Sequence, residues 1–270
     1  MTTELWGIDF SSVPTRRKPI VVARGRLAGA VLRLQRVEML STHAAFEALL
    51  IEPGPWLGAF DFPFGLPRPF VEALQLGTRA ADVIQALQRR CPTRMAFRAR
   101  VDAWGNTRPA GQRLVHRATD ATWPGISSTS PLQTRYVPVG FMYYEGFSRL
   151  IASGAHLPGL HEGDERRVAL EGYPGLLAHE LIGRRSYKND DSSERLLARK
   201  EIVEALEQGR TRLGLRLKLT PAQAGDLVAD AAGDKLDAVL CLMQAAWAAG
   251  QPRHGQPVEV DAVEGWITSA

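Results

Sequence analysis

Two short apolar runs, Leu5-Trp6-Gly7-Ile8-Asp9-Phe10 and Trp56-Leu57-Gly58-Ala59-Phe60, frame a segment that alternates in character from Pro19 to Leu40. That order restricts the fold more than any other feature of the chain. Alternation through Val31, Leu32, Leu34 and Val37 after a turn at Gly29 is the pattern of an antiparallel hairpin with one wet face. An uninterrupted apolar run such as 56–60 suits a strand buried on both faces, and it stops at Asp61 because Pro63 and Pro67 cannot continue a hydrogen-bonded ladder. The chain is therefore expected to build a mixed sheet.

Helical signals fill the remainder. Ser41 or Thr42 is placed to cap a helix over 44–50, and a second helix is expected from about Pro69 to Arg90. Arg167 to Leu170 reads as a fifth strand ending at Glu171, and Gly172 and Pro174 open the helix after it. Ser192 or Ser193 starts a charged helix to Gln208. Thr220-Pro221 marks the start of another. Gly233 breaks that helix, and Asp234 to Ala249 carries the strongest helical pattern, with Leu236, Val239, Leu240, Met243 and Trp247 on one stripe. Glu259 to Trp266 is a further strand candidate. Antiparallel strands feeding parallel ones through crossover helices predict an α/β fold of ribonuclease-H-like kind: a mixed five-stranded sheet flanked by helices, in one domain spanning 1–270, with extra C-terminal helices.

Residues 91–140 lack a period and read as a long irregular insertion with room for short helices of its own. Between 88 and 136 there are nine arginines, Arg98 and Arg135 among them, against Asp102 and Asp120. Trp104, Trp123 and Tyr136 are interleaved with them. Arginine forks suit phosphates and aromatic rings stack on bases, so nucleic acid is the expected partner; solvated helix faces with scattered aromatics account for the pattern equally well. The formal net charge of +4 permits a polyanion without demanding one. With 45% hydrophobic and 23% charged residues the chain has the composition of a soluble globular protein. No apolar run approaches the roughly 18 residues needed to cross a bilayer. Glu4, Asp9 and Arg16 argue against a signal peptide, and two unrelated cysteines, Cys91 and Cys241, suggest a reducing, cytoplasmic setting.

Chemistry is expected where acids cap the strands. Asp9, Asp61 and Glu171 each end an apolar run, and ligands of open α/β sheets collect beyond the carboxyl ends of their strands. Asp234 and Asp237 share one face of the last strong helix. Five converging carboxylates repel one another unless a cation sits among them, and oxygen donors favour Mg²⁺ or Mn²⁺. This is the ligand inventory of a two-metal phosphodiester site. Local readings compete: Asp9 and Asp61 as turn acids, Glu171 as a helix-entry acid, and Asp234 with Asp237 as an N-cap and capping-box pair. The six histidines show no zinc-ligand spacing, and neither a nucleophile elbow nor a dinucleotide fingerprint occurs.

Gly7-Ile8-Asp9-Phe10-Ser11, Ala59-Phe60-Asp61-Phe62-Pro63-Phe64-Gly65-Leu66-Pro67, Glu171-Gly172-Tyr173-Pro174, Tyr187-Lys188 and Asp234-Lys235-Leu236-Asp237-Ala238 resemble the domain of unknown function 429 family, over roughly residues 5–267. That family is regarded as predicted nucleases with a ribonuclease-H-like fold. The resemblance implies metal-ligand roles for Asp9, Asp61, Glu171 and the Asp234/Asp237 pair, and hydrolysis of DNA or RNA. Ser11, Lys188, Arg98 and Arg135 are the residues expected to meet substrate. Two rivals remain: an actin-like ATPase or sugar-kinase-type phosphotransferase, for which Gly7 to Ser12 resembles a first phosphate loop, and a non-catalytic nucleic-acid-binding module using the Arg-rich insertion.

Overall fold

A computed structural model describes residues 3–121 and 128–269. Strands β1 (Glu4–Asp9), β2 (Ile20–Ala28) and β3 (Val31–Leu40) are followed by helix α1 (His43–Leu50) and strand β4 (Trp56–Asp61). Helices α2 (Arg68–Ala73), α3 (Ala80–Arg90), α4 (Arg94–Asn106), α5 (Val139–Met142) and α6 (Ser148–Ser153) precede β5 (Ala155–His156) and β6 (Asp164–Glu171). The chain then runs through α7 (Pro174–Ile182), α8 (Ser193–Gln208), β7 (Arg216–Lys218), α9 (Pro221–Ala229) and α10 (Asp234–Ala249).

The seven strands form one sheet in the order β5-β6-β4-β1-β2-β3-β7. β2 is antiparallel to both its neighbours; every other pairing is parallel. Gly29, at φ +57°, supplies the left-handed residue of the tight β2–β3 turn. The sheet thus has two strands beyond the five expected. β5 and β7, two and three residues long, are too short to show a period. Glu259 to Trp266 forms no strand; beyond it, Ile267 makes a single parallel bridge to Glu171.

Two cores cover the sheet, one per face. Trp6, Ile8, Ile20, Val22 and Phe60 pack under α1, α3, α4 and α6. Leu5, Val21, Ala23, Leu57, Val168 and Leu170 pack under α7, α8 and α10. Strand alternation divides the apolar residues between the faces, which is why β1 from Leu5 to Ile8 and β4 from Trp56 to Phe60, central and covered on both sides, run apolar without a break.

The helix expected over 69–90 is two helices, α2 and α3, parted where Gln75 (φ +51°) and Gly77 (φ +140°) reverse the chain. The insertion is less irregular than its composition suggests. Thr93 caps α4 by accepting the Ala96 N–H at 3.2 Å, and Phe97, Val101 and Trp104 bury that helix's inner face. Thr220 heads α9 with a complete capping box to Gln223. α10 runs over the expected residues but is buried nearly all round, not along one stripe alone. Among the described residues no helix is long and apolar enough to cross a membrane.

Candidate metal centre

The site begins with register. β1 and β4 pair so that Asp9 lies directly beside Asp61. Alternation sends Leu5 and Leu57 to the α10 face, and Asp9 and Asp61, an even number of residues further on, follow them. α10 then supplies the third acid. It can approach because Gly7 has no side chain: a Cβ there would lie 2.0 Å from the Ala238 carbonyl oxygen and 2.1 Å from the Leu242 nitrogen. With its backbone against β1, the first turn of α10 hangs over the strand ends and lowers Asp237 onto the pair. One carboxylate oxygen from each of Asp9, Asp61 and Asp237 lies within 4.8 Å of the others.

Three acids this close repel. Burial and then the charges of Asp237, Asp234 and Asp61 push the Asp9 carboxyl well above the usual carboxylate range. Burial, with Asp237 next, pushes Asp61 up to about 7, against the opposing pull of Lys188 and Lys18. Asp237 is 1% exposed and is the best served: the Tyr187 hydroxyl donates to one oxygen and the Lys188 ammonium to the other. Burial works against the Lys188 charge, but Asp237 and Asp61 outweigh it and hold the ammonium protonated. Gly233 permits this approach. It precedes α10 at φ +80°, and a Cβ on it would lie 2.6 Å from the Lys188 Cβ.

The structure gathers three of the five expected acids. Glu171 is the principal correction. In the β4–β6 ladder it pairs with Phe60, not Asp61, so its side chain leaves the strand on the opposite side from the trio, although it borders the same cleft. There Arg117 grips it with two bonds of 2.6 and 2.8 Å, and the Phe64 N–H donates to it at 2.8 Å. A carboxylate so occupied is not a free ligand. Asp234 also stands outside the trio and pairs with Lys18 at 2.6 Å. The capping alternative does not describe the Asp pair either: Gly233 is the N-cap, and no side chain caps the helix. Asp234 and Asp237 sit in its first turn, where the helix dipole favours negative charge.

A cleft of about 610 Å³ opens over the trio, bounded in part by Ser11, Lys18, Tyr173 and Lys188. Ser11 and Lys188, two of the residues expected to meet substrate, both line this cleft. Arg98 and Arg135 do not line the cleft. Arg98 donates to the Thr134 carbonyl and lies 4.8 Å over the Phe141 ring, while Arg135 makes a two-bond pair with Asp102 at 2.6 and 2.8 Å. Both brace the insertion. Trp104 packs edge-on against Phe70, Tyr136 reaches the cleft, and Trp123 lies outside the described residues. Lys18 and Arg117 were not anticipated as site residues. The basic run Arg16-Arg17-Lys18 was the available sign of the first; the second was one arginine among nine.

The donor set fits a hard divalent cation: three carboxylates from three elements, oxygen throughout, with more negative charge than Lys188 alone neutralises. Comparison with protein-family models, curated proteins and solved structures gives no match. The geometry of the site is thus its own support.

Proposed function

We propose that the protein is a metal-dependent nuclease built on a ribonuclease-H-like sheet, as expected for the domain of unknown function 429 family that its motifs resemble. The order β3-β2-β1-β4-β6, with β2 alone reversed, supports the fold assignment. The meeting of Asp9, Asp61 and Asp237 at the carboxyl ends of adjacent parallel strands carries the functional one. These three would hold Mg²⁺ or Mn²⁺, and such a cation supplies activation of water and stabilisation of the departing oxygen in phosphodiester hydrolysis. Lys18 and Lys188, at the cleft, supply positive charge for a phosphate, and Tyr187 fixes the orientation of Asp237. Nucleic acid is the partner this arrangement suits, since a cleft with cations beside a carboxylate trio can bind a phosphodiester and poise it for attack.

The test is cleavage of labelled single- and double-stranded DNA and RNA with Mg²⁺ or Mn²⁺, compared with ATP hydrolysis under the same conditions. Cleavage by the native protein is expected, with a loss on the order of 100-fold or more in Asp61→Asn, the size of effect seen when one charge-stabilising group leaves a site. Inert native protein, or an Asp61→Asn variant as active as the parent, overturns the reading. ATP turnover without cleavage favours the phosphotransferase.

A further inference from the structure

The cleft has an apolar side that carboxylate chemistry does not use. Tyr136 lines it and is 98% exposed; Val13 and Val137, at 49% and 59%, line it too. A bare aromatic ring is notable here because its backbone is unusual. Tyr136 sits at φ +59°, a conformation that residues with a Cβ rarely adopt. Its neighbours hold it there. Arg135 is locked to Asp102, and its N–H donates to the Gln133 side chain at 3.1 Å. The Gly140 N–H closes on the Gln133 carbonyl at 2.7 Å, and the Val139 N–H on that of Val137 at 2.9 Å. Gly140 has to be glycine for this closure, since a Cβ would lie 2.7 Å from the Pro131 carbonyl. The loop is therefore pinned on both sides of a residue whose ring it leaves open to solvent.

One ligand chemistry matches a flat apolar ring in the same cleft as ammonium groups and a carboxylate trio: a planar base joined to a phosphate. We propose that the substrate is single-stranded nucleic acid, with an unpaired base stacked on Tyr136 while its phosphate lies toward Lys18, Lys188 and the trio. This rests on the nuclease reading for the phosphate's place, and the stacking contact is tested apart from cleavage. A space of about 610 Å³ has the size of one or two nucleotides, and only a base out of its pair can present a face to the Tyr136 ring. Stacking on a ring discriminates little between bases, so selection acts on strandedness and not on sequence.

The experiment measures binding by fluorescence anisotropy in EDTA, where no metal-dependent cleavage intrudes. The probes are a labelled 12-nucleotide single strand, the same strand as a blunt duplex, and the same strand with one abasic position moved along it. The native protein is expected to prefer the single strand. Tyr136→Ala should weaken it about 5- to 100-fold, Tyr136→Phe and Tyr136→Trp should retain affinity, and an abasic site at the stacked position should make the Ala change silent. Unchanged affinity in Tyr136→Ala, or equal affinity for duplex, overturns the proposal. A protein that cleaves but ignores Tyr136 loses this inference alone; one that binds through Tyr136 without cleaving keeps it and loses the nuclease reading.

Discussion

Replacing Asp9 by Asn is expected to raise the thermal midpoint of the metal-free protein and to diminish its response to Mg²⁺ or Mn²⁺. The carboxyl of Asp9 is held well above its ordinary range by burial and by Asp237, Asp234 and Asp61. An acid whose pKa is higher folded than unfolded retains a proton that the unfolded chain releases, so the folded state loses ground as pH rises between the two values. For Asp61 that window runs from its ordinary 3.8 to about 7. The contribution of this site to the stability of the metal-free protein should therefore fall from about pH 4 to 7, and the stability advantage of the Asn variant over the native protein should grow across that range. A cation reverses the sign by rewarding the ionised trio, adding about 2.7 kcal/mol at a hundred times its Kd, and more at pH 8 than at pH 5. Melting curves across that range, with EDTA and with Mn²⁺, read both effects. A lower midpoint in Asp9→Asn, or a metal response undiminished by it, contradicts the account. A site that sacrifices stability for function behaves in this way.

The second large effect lies at the buried ion-pair cluster of Arg117, which borders the same cleft from beside the trio. Arg117→Met is expected to destabilise the protein by about 3–5 kcal/mol, the loss that follows when a buried ion pair is broken from one side. Arg117 is 2% exposed and ties three segments together, bonding Asp120 and Glu171 through both charged groups and the Glu264 carbonyl through its Nη1. Without it, two buried carboxylates lose their cation. Neutralising them should recover part of the loss, so Arg117→Met combined with Asp120→Asn and Glu171→Gln should be more stable than Arg117→Met alone. Urea unfolding measures all of these; a loss below about 1 kcal/mol for Arg117→Met would assign the cluster a surface-like role.

Glu171 illustrates how far the sequence can be read. Ala169-Leu170-Glu171 has the same form as Ala59-Phe60-Asp61, and nothing within either string says that one acid points up and the other down. That depends on the pairing of Glu171 with Phe60, a relation between strands and not within one. Asp9 and Asp61 were legible because both end central, fully apolar strands, and their meeting needed only that those strands be neighbours. Asp237 was legible as one of a pair, but the choice between it and Asp234 is made by the depth to which Gly7 lets α10 sink. In the insertion, α4 was within reach: Thr93 as a cap and Phe97, Val101 and Trp104 at steps of four and three form a helical signature that the surrounding arginines obscured. Nothing in the spacing of Arg98 and Arg135 could show that each already has a partner inside the fold.

The most direct measurement is a calorimetric titration of EDTA-stripped protein with Mn²⁺ at pH 8. Saturable binding is expected in the native protein, weakened at least tenfold by Asp9→Asn, by Asp61→Asn and by Asp237→Asn, and changed only a few-fold by Asp234→Asn, whose side chain pairs with Lys18 outside the trio. A native protein that takes up no Mn²⁺, or one whose affinity depends on Asp234 as much as on the other three, would contradict the metal centre.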